Sequence, residues 1–350
     1  MKGIIEKLFK ENYLKEDELL SLLNNIDENS RNYLLKKAHQ TRMNHYGNKV
    51  FMRGLIEFTN YCKQNCIYCG IRAENKRTDR YRLSLEDILH CCTIGYELGY
   101  RTYVLQGGED DYYNDDKIVA IISSIKNKFS DCAITLSIGE KSHQSYQKYY
   151  AAGADRYLLR HETASEKLYD SLHPGMSFNN RIKCLKSLKE IGYQVGAGFM
   201  VGLPGQTNED YVKDLMFLKE LQPQMVGIGP FIPHKDTPIA AVKGGAVADT
   251  VTLLAITRLL LPDVLLPATT ALGSIDPLGR EKGIKAGANV VMPNLSPTKV
   301  RAKYSLYDGK ICTGDEAAEC RRCIEERIIK AGFSVDMSRG DHNDWRRSND

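Results

Sequence analysis

Three thiols crowd one short stretch of this chain, Cys62, Cys66 and Cys69, spaced four and then three residues apart, with Tyr68 just before the last. Thiolates are soft ligands, and several in one loop suit iron–sulfur or zinc chemistry. A structural zinc site takes four protein ligands and a ferredoxin-type cluster four cysteines, whereas this loop supplies three. A four-iron cubane held by three thiolates keeps one iron open, where a substrate or cofactor can bind. The plainer alternative is a zinc loop borrowing a distant fourth ligand, but no Cys/His pair follows at zinc-finger distance. A second group, Cys312, Cys320 and Cys323, lies near the C-terminus. Its plain reading is a small zinc or disulfide clip.

Other residues matter by position. Gly107-Gly108-Glu109 is weak alone, since double glycines mark turns. Two glycines nevertheless let a ligand approach the backbone, and the carboxylate accepts from an ammonium group. In Arg156–Glu162, the residues Arg156, Leu158, Arg160 and Glu162 share one face of a strand. If that face points inward, it lines a cavity for a polar or anionic ligand, because unpaired charge is costly in a packed core. The alternative is a salt-bridged strand end that caps the fold. The basic run Arg72, Lys76, Arg77, Arg80 and Arg82 reads as a solvated face. Gly196-x-Gly198-x3-Gly202 has the wrong spacing for a dinucleotide fingerprint; its glycines, with Gly227 and Gly229, are expected to leave room inside the fold. His161 and His234 read as hydrogen-bonded structural groups, and Cys91, Cys92, Cys132 and Cys184 as buried thiols.

These residues need a frame. Residues 1–50 read as a helical extension and 301–350 as a separate C-terminal segment. Between them, from 51 to 300, β-rich runs alternate with helical stretches. The runs are Gly54–Phe58, Thr102–Gln106, Ala133–Ser137, Arg156–Arg160, Val195–Phe199, Met225–Gly229, Leu265–Thr269 and Asn289–Met292. Helix starts are signalled by Ser84 with Asp87 and by Thr207 with Asp210. Strands alternating with helices imply parallel βα units, and eight of them match an α/β fold of the (β/α)8 TIM-barrel type, with a doubly wound sheet as the lesser alternative. Active sites of such barrels lie at the C-terminal strand ends, and the unusual residues above fall just after the strands.

Composition agrees with a soluble globular protein able to bury a large core, at 42% hydrophobic and 26% charged. A net charge of +4, from 48 basic and 44 acidic residues, makes no electrostatic case for nucleic acid. No apolar run reaches membrane-span length, and the N-terminus lacks an apolar signal region. The expectation is therefore a cytoplasmic protein without nucleic-acid or membrane partners, in which ten cysteines serve metal or redox chemistry rather than disulfides.

With Cys62-x3-Cys66-x2-Cys69, Tyr68 and Gly107-Gly108-Glu109 on strand ends of a βα barrel, the chain resembles the radical S-adenosylmethionine (SAM) superfamily. Within it, the chain resembles the HydE-type [FeFe]-hydrogenase maturase family, through the stretches 154–163, 201–207, 225–234, 267–271 and 287–294. The resemblance implies a [4Fe–4S] cluster on Cys62, Cys66 and Cys69, its open iron chelated by SAM. It implies reductive cleavage of SAM to methionine and a 5′-deoxyadenosyl radical. Glu109 and the backbone of Gly107 and Gly108 would receive the methionine amino group, and Glu162 and Arg181 the ribose and carboxylate sides. Gln106, Arg160, Met225 and Tyr304 occupy matching positions near the cofactor, and Thr269, Thr270 and Met292 would line the substrate cavity. Some members of the family bind an auxiliary iron–sulfur cluster with the spacing of Cys312, Cys320 and Cys323, which implies a surface cluster not required for catalysis. The implied function is assembly of the hydrogenase active-site H-cluster on a small organometallic or amino-acid-derived substrate, with companion maturases HydG and HydF and a ferredoxin or flavodoxin as electron donor. Biotin synthase-like or methylornithine synthase-like enzymes, and a non-catalytic iron–sulfur carrier, are the alternatives.

Overall fold

In the computed structural model, which describes residues 1–347, the alternating pattern closes on itself. Strands Gly54–Thr59, Thr102–Gly107, Ala133–Ser137, Arg156–Leu158, Gln194–Ala197 and Met225–Val226 pair in that order, all parallel. Single parallel bridges complete the ring, from Met225 to Leu265, Pro267 to Val290 and Asn294 to Leu55. The expected strand at Leu265–Thr269 is reduced to bridges because Pro267 has no N–H to give a ladder. The first barrel strand is buried along its whole length, as parallel strands covered on both faces must be.

The outer helices begin where the sequence signals them. Ser84 accepts from the Asp87 amide and Asp87 returns the bond, opening helix Leu85–Glu97; Thr207 and Asp210 do the same for Asn208–Leu221. Three helices, Lys2–Glu11, Glu16–Asn25 and Glu28–Tyr46, precede the barrel. The first and third cover the outer helix Val247–Leu260, with Asn12 Nδ2 donating to Leu259 O at 2.8 Å and Arg31 Nε to Thr252 Oγ1 at 3.1 Å, and the second packs on Asn208–Leu221. That cover explains why Val247–Leu260 is buried on every face from Thr250 onward. Gly198 does not open the barrel as expected. It has φ +147°, and a Cβ there would lie 2.0 Å from Gly227 O, so it lets two strands touch, while Gly227 and Gly229 do face the interior.

The C-terminal segment closes the floor. Strand Ser334–Asp336 pairs in parallel with Lys49–Met52, and the chain then runs beneath the barrel. Fully buried Arg156 forms an ion pair with Asp341 and donates to Arg339 O at 2.7 Å. Gln194 Nε2 donates to Asp341 Oδ1 at 2.6 Å, and Arg53 to Gly340 O at 3.0 Å. The strand face read as a single ligand-binding surface is thus split. Arg156 is a floor residue whose counter-charge comes from the chain itself, and only Leu158, Arg160 and Glu162 reach the cavity above.

Burial alone would raise the Asp341 carboxyl, but the charges of Arg156 and Arg339 and the hydrogen bonds from Arg339 and Gln194 outweigh it and hold it at about 2. Because the folded value lies below the ordinary 3.8, the stabilisation is complete above about pH 4 and is lost as pH falls toward 2. Asp341→Asn is expected to cost about 2 kcal/mol at neutral pH. In urea unfolding, the gap between variant and parent should close as pH falls through that window.

Candidate active site

Above the floor, the barrel encloses a cavity of about 360 Å³, walled by residues from the C-terminal strand ends and from the segment after residue 300. The loop carrying Cys62, Cys66 and Cys69 forms one side. It is neither helix nor sheet, so side chains must satisfy its backbone. Asn75 Nδ2 and Thr78 Oγ1 both donate to Gly70 O, at 2.6 and 3.0 Å, and Asn65 Oδ1 accepts from Glu74 N at 3.0 Å. Neighbouring elements also grip it, with Ile67 N donating to Leu172 O at 3.0 Å and Gly70 N to Leu306 O at 2.9 Å. Glycine follows the third cysteine for a steric reason, since a Cβ at Gly70 would lie 2.2 Å from Ser305 O and 2.3 Å from His234 Cδ2. Tyr68 is fixed by its hydroxyl, which donates to His173 Nε2 at 2.9 Å, while His173 Nδ1 donates to Tyr169 O at 2.8 Å. Burial pushes the His173 imidazole down to about 3, so it stays neutral.

The glycine pair also makes room for protein. A Cβ at Gly108 would lie 2.2 Å from Tyr61 O and 2.7 Å from Cys62 Cβ, and one at Gly107 would lie 2.8 Å from Thr59 Cγ2. The glycines admit the cysteine loop to the second strand end. Glu109 is consequently clamped between two elements. Its Oε2 accepts from Gln64 Nε2 at 2.7 Å, its Oε1 from Glu140 N at 3.0 Å, and its carbonyl from Lys63 N at 2.9 Å. Asp110 anchors the same turn, accepting from Thr59 Oγ1 at 2.8 Å and from both arms of Arg82 at 2.7 and 2.9 Å.

Across the cavity, Glu162 sits at φ +66°, a conformation that costs free energy unless the surroundings impose it. His161 imposes it from behind. Its Nδ1 accepts from Gly198 N at 3.2 Å, so Nε2 carries the proton and donates to Asp214 Oδ1 at 3.2 Å, both side chains being fully buried. His161 is thus the hydrogen-bonded structural group its isolation in the sequence implied. Glu162 Oε2 lies 3.2 Å from Arg160 Nη2 but lacks a well-formed hydrogen bond, which leaves acceptor capacity free for a bound donor. Arg181 Nε donates to Glu140 Oε1 at 2.7 Å, and its fork also reaches Arg160 O.

The donor set suits the cofactors. Three free, half-buried thiols share the cavity wall with Glu109, Glu162 and Arg181. Burial pushes all three thiols up, Cys69 to about 12, so they remain protonated until a metal displaces the proton. Among the described residues, no three Cys, His, Asp or Glu side chains converge to chelate a single ion. A cubane takes each thiolate at a different corner and does not need such convergence.

Gln106, Gly107, Gly108, Arg160, Tyr304, Thr269, Thr270 and Met292 also line the cavity. Met225 does not. It is buried in the wall, and its sulfur accepts from Arg53 at 3.2 Å, because a fully buried guanidinium takes whatever acceptor is in reach. The C-terminal group also departs from a purely surface site. Cys320 is 1% exposed and lines the cavity together with Cys312, while only Cys323 faces outward. The Cys320 thiol and the Arg280 guanidinium both hydrogen-bond to Cys312 and pull its thiol down.

Sequence reasoning missed two wall residues. Glu57, 2% exposed, pairs with Lys310 at 2.6 Å, and Asn294 Nδ2 donates to its other oxygen at 2.8 Å. The one available signal was a lone carboxylate inside an apolar strand. Lys310 gave none, because its partner lies so far away in sequence.

The radical SAM superfamily profile matches residues 56–218. The chain is 48% identical, over 94% of both chains, to the [FeFe] hydrogenase maturase subunit HydE of Thermotoga maritima. It is 33% identical to the 3-methylornithine synthase of Methanosarcina acetivorans, over 87% of this chain and 86% of that one. The crystal structure of methylornithine synthase superposes with a TM-score of 0.83 at 27% identity, covering 95% of this chain and 97% of that one. Members of this superfamily work with a [4Fe–4S] cluster and SAM. The chain is a radical SAM enzyme and belongs, within that superfamily, to the family of the [FeFe] hydrogenase maturase HydE.

Proposed function

We propose that this enzyme acts in building the H-cluster of [FeFe] hydrogenase, generating a 5′-deoxyadenosyl radical against a small iron-bound, amino-acid-derived precursor. One arrangement supports the reading: the three-thiol loop, the Gly-Gly-Glu turn and the Glu162–Arg181 side of the barrel open on one cavity, in a chain 48% identical to a HydE. Cys62, Cys66 and Cys69 would hold a [4Fe–4S] cluster, which would supply the electron for breaking the S–C5′ bond of SAM.

The chain's own residues bind and orient. Glu109, preset by Gln64 and the Glu140 amide, takes the methionine ammonium beside the Gly107–Gly108 backbone. Arg181 holds the carboxylate side, Glu162 accepts from the ribose, and Gln106, Arg160 and Tyr304 complete the surroundings. Thr269, Thr270 and Met292 contact the substrate. Met225 is left out, since it is buried within the wall behind the cavity lining. Leu306 and Phe231 narrow the cavity and help keep water from the radical. The fixed Glu57–Lys310 pair gives the wall a polar point that needs no reorganisation.

The companion maturase HydG supplies the iron-bound precursor in this reading, HydF receives the product, and a cytoplasmic ferredoxin or flavodoxin donates the electron. Among the described residues, no helix is long and apolar enough to cross a membrane. Cys312, Cys320 and Cys323 would hold an auxiliary iron–sulfur cluster that SAM cleavage would not require.

Anaerobic reconstitution, reduction with dithionite and addition of SAM should yield 5′-deoxyadenosine. Its absence, with no spectral change of the cluster on adding SAM, would sink the proposal. Cys66→Ala should reduce product to background. Cys323→Ala should lower the iron content while leaving SAM cleavage largely intact. Glu109→Gln should weaken SAM binding roughly ten- to a hundredfold, the equivalent of losing a hydrogen bond to a charged group, about 1.5–3 kcal/mol, read by equilibrium titration.

A further inference from the structure

The basic run after the cysteine loop resolves into two kinds of residue. Arg72 pairs with Glu74 at 2.7 Å, Arg77 with Asp236 at 2.8 Å and Arg82 with Asp110 at 2.7 Å. Their charges are neutralised locally. Lys76 is exposed and reaches only Ala73 O, at 3.4 Å. Arg80 is different. Among the described residues it has no carboxylate partner, and its guanidinium is spent on carbonyls: Asn60 O, Ile71 O at 2.8 Å, Arg72 O at 2.7 Å and Asn75 O at 3.2 Å.

The positions of those carbonyls matter. Asn60 lies two residues before Cys62, and Ile71 and Arg72 follow Cys69 closely. One planar fork therefore joins the two ends of the loop on which the thiols sit. A lysine cannot reproduce this, because its ammonium is a point donor without a rigid fork. We propose that Arg80 is a positioning residue for the cluster, fixing the separation of Cys62 and Cys69 by bracing both ends of their loop, and leaving its charge uncancelled beside them to favour the reduced state.

The charge bears on redox chemistry because reduction adds one electron, from an external one-electron reductant, and makes the thiolate-ligated cluster more negative. A fixed cation nearby stabilises that state, more so where water is scarce.

The inference rests on placing the cluster at Cys62, Cys66 and Cys69, so the test begins with the reconstituted full-length chain. Iron and sulfide content, resistance of the cluster to a chelator and the midpoint potential from an EPR-monitored titration are compared for the parent, Arg80→Gln and Arg80→Lys. Arg80→Gln should lower the midpoint by a tenfold or greater loss of preference for the reduced state, about 59 mV for a one-electron couple. Arg80→Lys should keep a midpoint near the parent's but surrender iron to the chelator several-fold faster. A loaded Arg80→Gln enzyme with the parent's midpoint overturns the charge role. A loaded Arg80→Lys enzyme with the parent's chelator resistance overturns the bracing, and decides it even if Arg80→Gln fails to fold. A parent chain that binds no cluster overturns the site itself, which is a distinguishable failure.

Discussion

Backbone carbonyls in the cysteine loop have no helix or sheet partner, and this requirement shapes much of what surrounds them. Leaving such groups unpaired in a half-buried place costs roughly 1–3 kcal/mol each. The chain meets the cost with side chains drawn from the loop itself, Asn75, Thr78 and Arg80, and with amides and carbonyls lent by distant elements, among them Leu306 and Leu172. Close packing follows. Gly70 and Gly108 are glycines because neighbouring backbone lies where their Cβ atoms would be. An irregular loop can hold three thiols in fixed places only if everything around it is regular, and the closed ring of parallel strands provides that.

A second theme is the pairing of buried charge. Arg156 with Asp341 and Glu57 with Lys310 are ion pairs in which Arg156 and Glu57 are almost inaccessible to solvent, and neutral His161 donates a hydrogen bond to fully buried Asp214. Such pairs add little net stability compared with apolar packing, but removing one partner strands the other. Here each ties sequence-distant segments together. The first joins the floor to the C-terminal segment, the second joins the cavity wall to it, and the third fixes the strand end on which Glu162 adopts its left-handed conformation. The barrel's interior is therefore specified by ion pairs as well as by shape.

The sequence was most legible where signals are local. The cysteine spacing, the capping boxes at Ser84 and Thr207 and the periodicity of eight strands all depend on residues near one another in the chain, and each found its counterpart in the ring or its helices. The double glycine was noticed, but its tight packing against the cysteine loop is a contact no local pattern reveals. Arg156 looked like a cavity residue until Asp341 supplied its partner. Lys310 and Arg280 were invisible, since nothing in their own neighbourhood separates them from surface cations. Met225 matched by position alone, and position along a strand does not say which depth of the barrel a side chain reaches.

Closure through Leu55 and Asn294 has a consequence in time. The first strand of the ring cannot meet its last neighbour until Asn294 has left the ribosome, and Leu306, which grips the loop at Gly70, comes later still. At synthesis rates of about 5–20 residues per second, the interval between Cys62 and Leu306 is roughly 10–50 s. For that period the thiols belong to an open half-barrel, accessible to iron and to oxidants alike. The segment made after the ring joins both levels, Asp341 at the floor and Lys310 at the cavity wall, so its arrival is also the closing of the vessel.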